Sequence, residues 1–238
     1  MGVEIELWMQ RARRHLGRLL PGQRAWVSIG TFCHAASALR EAGLRQWSGP
    51  FDWIFSTPAL VADAIEEDFE NFLAPRYLQS VPEHLLTPGT KRQCRHLLFE
   101  ERYRLPTLFN HHDPVSSQED RETLVRAIAR FRSALANSRG NTFFMLSDRP
   151  RAEADLDRLE RLFLRHGSQH RMVVVTLEAG SERLLRMEDG SGRRIGGVVR
   201  LLGESKGVRF VDPADNEFLR QALARFASRV GASDARSA

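Results

Sequence analysis

The chain reads as an α/β fold: a three-layer arrangement in which a largely parallel sheet carries helices on both faces, with an additional N-terminal helix. Three observations predict it. Short apolar runs at 25–30, 142–146 and 172–177 alternate with longer stretches of near-3.6-residue apolar period, and strands separated by helices of 10 to 20 residues imply parallel crossover units. The clearest unit is strand Thr142 to Leu146, helix Ala152 to His166 and strand Met172 to Leu177. Finally, 238 residues at 42% apolar content can bury a substantial core.

In chain order, an amphipathic helix is expected over 3–20, ended by the breaker pair Pro21-Gly22. The strand at 25–30 stops at Gly30, and Cys33 to Ala42 follow with helical spacing. Pro50 to Phe55 is a short apolar segment. Thr57 is a suitable N-cap and Pro58 a suitable first residue for a helix reaching Leu73. Arg76 to Thr90 is irregular; 95–99 and 105–109 read as short strands, and His111 to Ser117 as a loop. Ser117 opens a long helix from Gln118 to Asn137. After the crossover unit, Asp189-Gly190 and Ser191-Gly192 carry turn chemistry between two strands. Val198 to Leu202 and Val208 to Val211 are expected strands, and Asn216 to Val230 a final helix. The expected organisation is an amphipathic helix over 1–24, a single α/β domain over 25–230 and a disordered tail over 231–238.

Composition narrows the partners. No stretch approaches the ~20 apolar residues that span a bilayer, and the early acidic residues do not suit a signal peptide. Cys33 and Cys94 are the only cysteines, too few for a disulfide framework, so a cytoplasmic setting is expected. The net charge is +5, and all but two of the 35 cationic residues are arginine. So strong a bias is a mark of a GC-rich genome, and the arginines are interleaved with acids as on exposed helix faces. No nucleic-acid partner is expected. Arg11, Arg13, Arg14 and Arg18 make the 3–20 helix basic, which allows contact with an anionic membrane surface, although docking on its own domain is the commoner use. There is no GxGxxG or GxxxxGK[ST] loop and no paired CxxC or HxxxH spacing, so neither a cofactor nor a metal is expected.

Chemistry concentrates where a parallel sheet places it, at the carboxyl ends of the strands. Cys33 follows the first strand, His111 and His112 follow the run ending at Phe109, and Asp148 follows the run ending at Leu146. A cysteine at a helix N-terminus meets orphan N–H groups and positive potential, which lower a thiol pKa. The bland alternative is a small cysteine packing a strand–helix corner.

The stretch Ser28-Ile29-Gly30, Cys33, Leu39-Arg40 and Pro50-Phe51-Asp52-Trp53, followed by Asp68 to Leu73 and by His112-Asp113, resembles a bacterial family of uncharacterised proteins described as papain-like cysteine peptidases. The likeness covers roughly residues 25–150. It implies a Cys nucleophile followed in the chain by a His base. The chain lacks the Gln and the Cys-Gly-Ser-Cys-Trp motif of papain itself, and its periodicity suits a sheet with two helical faces rather than papain's two lobes. In the expected chemistry Cys33 attacks a carbonyl carbon, His112 takes and returns the proton, and a carboxylate orients the ring. Asp113 and Asp52 are candidates for that carboxylate and Asp148 a further one. His111 and His34 compete with His112; with Trp53 and Asp148 they form the expected binding set. Asp52 is expected either to orient the imidazole or to tie down backbone N–H groups of the Cys33 turn. The substrate would be a peptide, an amide, or an acyl or glycan conjugate. The alternative function is a non-catalytic module that recognises a glycan or protein in the same cleft.

Overall fold

The computed structural model describes residues 24–189 and 193–235. The expected 3–20 helix and the Gly190 to Gly192 turn lie outside them. The strands are β1 (Trp26–Ser28), β2 (Leu78–Ser80), β3 (Cys94–His96), β4 (Thr142–Ser147), β5 (Arg171–Ala179), β6 (Leu184–Asp189) and β7 (Arg194–Leu201). The helices are α1 (His34–Glu41), α2 (Pro58–Glu66), α3 (Leu97–Tyr103), α4 (Gln118–Leu135), α5 (Glu153–His166) and α6 (Pro213–Ala235). Five strands form one sheet in the order β1-β4-β5-β7-β6. All its pairings are parallel except β6 with β7. β2 and β3 form a separate antiparallel pair.

The two-residue alternation of a strand divides the core between the faces. Phe143 and Met145 of β4 and Met172 and Val174 of β5 pack with α2, α4 and α5. Phe144 and Leu146, with Val173, Val175 and Leu177, pack with α1 and α6 through Ala35, Leu39, Leu223 and Phe226. The three-layer α/β expectation is met. Phe51, Phe69, Phe72, Phe109 and Phe131 are linked by ring contacts with centroids 5.3–5.8 Å apart. All but the tilted Phe51–Phe69 pair are edge-to-face, an arrangement that adds to the stabilisation from burial itself.

Five local expectations are corrected. α2 begins as expected, with Thr57 Oγ1 accepting from Leu60 N at 3.1 Å, but it stops at Glu66. Asp68 and Phe69 take left-handed φ values of 46° and 59°, turning Phe69 into the aromatic cluster. Residues 95–99 split between β3 and α3, because the His96 side chain caps α3 by accepting from Phe99 N. The 105–109 run forms only isolated bridges through Phe109, to Ile54 and to Cys94. Residues 208–211 likewise contribute one bridge, Ser205 to Phe210, whereas β6 is a full strand. The last helix also continues to Ala235, past the expected end at Val230.

Chain direction reverses at β1. Arg45 bridges parallel to Trp26 on one side of it, and the chain later returns to place β4 on the other. Loops leaving the carboxyl ends of strands at such a reversal diverge and open a crevice.

Candidate functional site

The crevice is present. A cleft of about 870 Å³ is lined by Thr31 and Phe32 after β1, Asp148, Arg149 and Arg151 after β4, Glu178 and Ala179 at the end of β5, and Gly203, Glu204, Ser205, Gly207 and Phe210 after β7. Phe55 to Thr57 and Tyr103 to Leu105 close another side. Thr31 Oγ1 donates to the Leu146 carbonyl at 2.7 Å, tying the β1 and β4 loops together. Buried Ser147 organises the second loop: its Oγ donates to the Arg149 carbonyl and accepts from Arg151 Nε, both at 2.6 Å.

The turn into α1 depends on Gly30, whose φ is +81° and whose missing Cβ would sit 2.3 Å from Ser56 Oγ. Cys33 is the N-cap of α1 and makes no side-chain cap bond. The expectation of a depressed thiol pKa is not met. Burial pushes the Cys33 thiol up to about 11; its own backbone N–H pulls it down and the charge of Asp52 adds to the rise. Burial outweighs the helix terminus, because a thiolate with 4% of its residue surface exposed loses nearly all its hydration. Cys94 is pushed up to about 12, again chiefly by burial.

The Pro50-Phe51-Asp52-Trp53 segment is a turn rather than a strand, so its aromatics do not share a face. Phe51 enters the aromatic core. Asp52 is buried and accepts from Arg45 Nε at 2.9 Å and Gly49 N at 3.0 Å. Burial pushes its carboxyl up while Arg45 pulls it down. Its N–H partner is thus in its own turn and not in the Cys33 turn. Trp53 lies under the Arg40 and Arg45 guanidinium groups, 5.9 and 5.5 Å from its ring centroid, and is not among the cleft residues.

The structure does not bring His112 to Cys33. His112 Nδ1 is 3.2 Å from Asp120 Oδ1, and Asp120 Oδ2 accepts from Asp113 N at 2.8 Å. Asp113 accepts from Val115 N, Ser116 N and Ser116 Oγ, which makes it the organiser of the loop. Its carboxyl is held low by these bonds against the opposing and largest effect of burial. His111 bonds with Asn110, and burial lowers its pKa. None of these residues lines the cleft. Asp148 does, paired with Arg149 and Arg151; the Arg149 hydrogen bond is the main reason its carboxyl is held low.

Sequence reasoning missed two residues. Asp120 orients His112, and the Ser117–Asp120 spacing of a helix cap was its signal. Asp215, with none of its surface exposed, holds the loop after β7 by accepting from Gly203 N and Arg183 Nε at 2.7 Å. Its position in the first turn of α6 was the available clue. Among the described residues no group of three His, Cys, Asp or Glu side chains is arranged to hold a metal ion.

A family model described as "Putative papain-like cysteine peptidase (DUF1796)" matches residues 24–173, more than half of the chain. No curated protein and no solved structure matches. The matched segment runs from β1 into β5 and includes Cys33, Asp52, His112 and Asp148, while the loop after β7 lies beyond it.

Proposed function

The chain belongs to this papain-like cysteine peptidase family, and from that premise we propose that it is a thiol-dependent hydrolase or acyltransferase working through the carboxyl-edge cleft, with Cys33 as nucleophile. The observation that carries the reading is the position of Cys33: it caps α1 directly after Thr31 and Phe32, which line the cleft at the chain reversal. Attack by Sγ on a carbonyl carbon would form a thioester, which water or an acceptor then opens. First-turn N–H groups of α1 are the natural donors to the oxyanion.

Catalysis in this reading starts from a protonated thiol. The base must therefore reach Sγ in the substrate complex, and catalytic contacts that are open in a free enzyme often close there. His112, bonded to Asp120 outside the cleft, is the imidazole that the family resemblance assigns to the step, and its loop has to move for the ring to reach Sγ. The substrate class is an acyl compound, peptide, amide or ester, and the compartment assigned is the cytoplasm.

A second reading, a binding module without catalysis, is favoured by the thiol pKa of about 11. Turnover of a panel of fluorogenic peptide and ester substrates by the protein and by Cys33→Ala separates the two. The hydrolase reading expects Cys33→Ala to melt within a few degrees of the parent, because the deleted atom is small, and to lose all thiol-dependent turnover. Absence of turnover in both proteins supports the binding module, and equal turnover in both removes Cys33 from the chemistry.

A further inference from the structure

On the far wall of the cleft, Ser205 Oγ lies 2.9 Å from His34 Nδ1. Ser205 is exposed and lines the cleft, whereas His34 is almost wholly buried. The imidazole is held in place by Phe32, edge-on with centroids 5.9 Å apart, and by Phe210 at 4.7 Å. Gly207 N donates to Ser205 Oγ at 3.1 Å, and in the Nε2–H tautomer of His34 the hydroxyl donates to the ring Nδ1. An open hydroxyl bonded to a fixed imidazole is the arrangement that activates a serine nucleophile. Bridging of Ser205 to Phe210 and the Lys206 N to Arg209 carbonyl bond shape the loop that carries it.

We propose that Ser205 and His34 form a second nucleophile–base pair in this cleft, independent of Cys33 and acting on activated acyl groups, esters or thioesters. In the step, Ser205 Oγ bonds to the acyl carbon and its proton passes to His34 Nδ1. The C–O or C–S bond to the leaving group then breaks, and His34 returns the proton to the departing alcohol or thiol. Water opens the acyl-serine ester to release the carboxylic acid.

Two features select this substrate class over amides. Burial pushes the His34 pKa down to about 4, so the ring is free to accept a proton at neutral pH but is a weak base. A weak base suits a carbonyl that is already electrophilic and a leaving group that departs easily. No carboxylate is bonded to His34 among the described residues, so the imidazolium gains none of the support an acid partner gives.

The test is labelling with a fluorophosphonate reporter and mapping of the adduct by peptide mass. The expected result is phosphonylated Ser205, absent in Ser205→Ala and slowed at least about tenfold in His34→Gln. A protein with no adduct on Ser205, or with equal rates in folded His34→Gln, overturns the proposal. If His34→Gln fails to fold, the pH profile of the parent decides. A base that is already free gives a rate that stays level between about pH 6 and about pH 9. A rate that climbs about tenfold per pH unit there means direct ionisation of the hydroxyl and overturns the pair. Thiol and serine adducts fall on different peptides, so either this pair or the Cys33 reading can fail alone.

Discussion

Arg45 donates from both Nε and Nη2 to one oxygen of Asp52, Oδ2, and the Gly49 N–H donates to that same atom. Three donors on one buried oxygen fix the turn that delivers Phe51 to the aromatic core. Arg130 adds to this by donating from Nε and Nη2 to the Ser48 carbonyl. The motif is therefore an architectural lock beneath the site.

Asp52→Ala leaves Arg45 charged and largely buried, a loss on the order of 3 kcal/mol for a broken buried pair. Asp52→Asn keeps an acceptor for Gly49 and Arg45 and should lose less. In a chain of this length each kcal/mol lowers the melting temperature by about 2–4 °C. Thermal melts of the two variants should rank parent, Asn, Ala. An Asp52→Asn variant that melts like the parent but turns over about 100-fold more slowly would move Asp52 into the catalytic set.

Gly30→Ala meets two separate obstacles. A left-handed φ costs a residue with a Cβ about 1–2 kcal/mol, and the new carbon would sit 2.3 Å from Ser56 Oγ and 3.1 Å from the Phe51 carbonyl oxygen. The double variant Gly30→Ala with Ser56→Gly should recover the hydroxyl clash and leave the φ cost. Urea midpoints that fail to recover in the double variant would show that the turn, rather than the contact, carries the loss.

Buried neutral histidines make stability depend on pH. The His34 pKa lies at about 4 in the folded protein against an ordinary 6.5, and burial lowers those of His96 and His170 as well. A folded pKa below the unfolded one favours folding in full above about pH 6.5, and the advantage disappears as pH falls toward about 4. His34 alone contributes on the order of 3 kcal/mol across that window. Unfolding free energies in urea should thus drop between about pH 7 and about pH 4.5. A constant value would mean that His34 is hydrated in solution.

If His112 serves as the base, Asp120 fixes its orientation. Asp120→Asn should then cut turnover by about 100-fold or more while the loop stays ordered through Asp113. Full activity in Asp120→Asn would remove the His112–Asp120 pair from the mechanism and leave it as a loop clasp.

Much of this architecture was legible because burial on both sheet faces leaves continuous apolar runs, as in Phe143 to Leu146 and Val173 to Val175. Caps were equally readable: Thr57 and Ser117 make the bonds their side chains imply. Boundaries governed by tertiary contacts were not. The α2 end depends on Phe69 reaching the aromatic cluster, and β6 was hidden because its exposed arginine and glutamate, Arg186 and Glu188, pair with each other on a sheet edge. At the site, the placement of Cys33 and Asp148 at the carboxyl edge was legible from strand order. The pairing of His112 with Asp120 and of His34 with Ser205 was not, since spatial neighbours eight and 171 residues apart leave no local signal.

In the proposed function Cys33 is a nucleophile released by an acyl ligand in the cleft. This role is tested most directly by a peptidyl vinyl sulfone at about pH 7, with iodoacetamide as the unguided control and adducts mapped by mass. Modification of Cys33 by the sulfone and little by iodoacetamide is expected, because a free thiol with a pKa of about 11 is almost wholly protonated, while Cys94 stays unmodified by both. An unmodified Cys33 in the sulfone arm, with alkylation by iodoacetamide emerging only toward pH values near that pKa, would identify Cys33 as a packing residue and contradict the account.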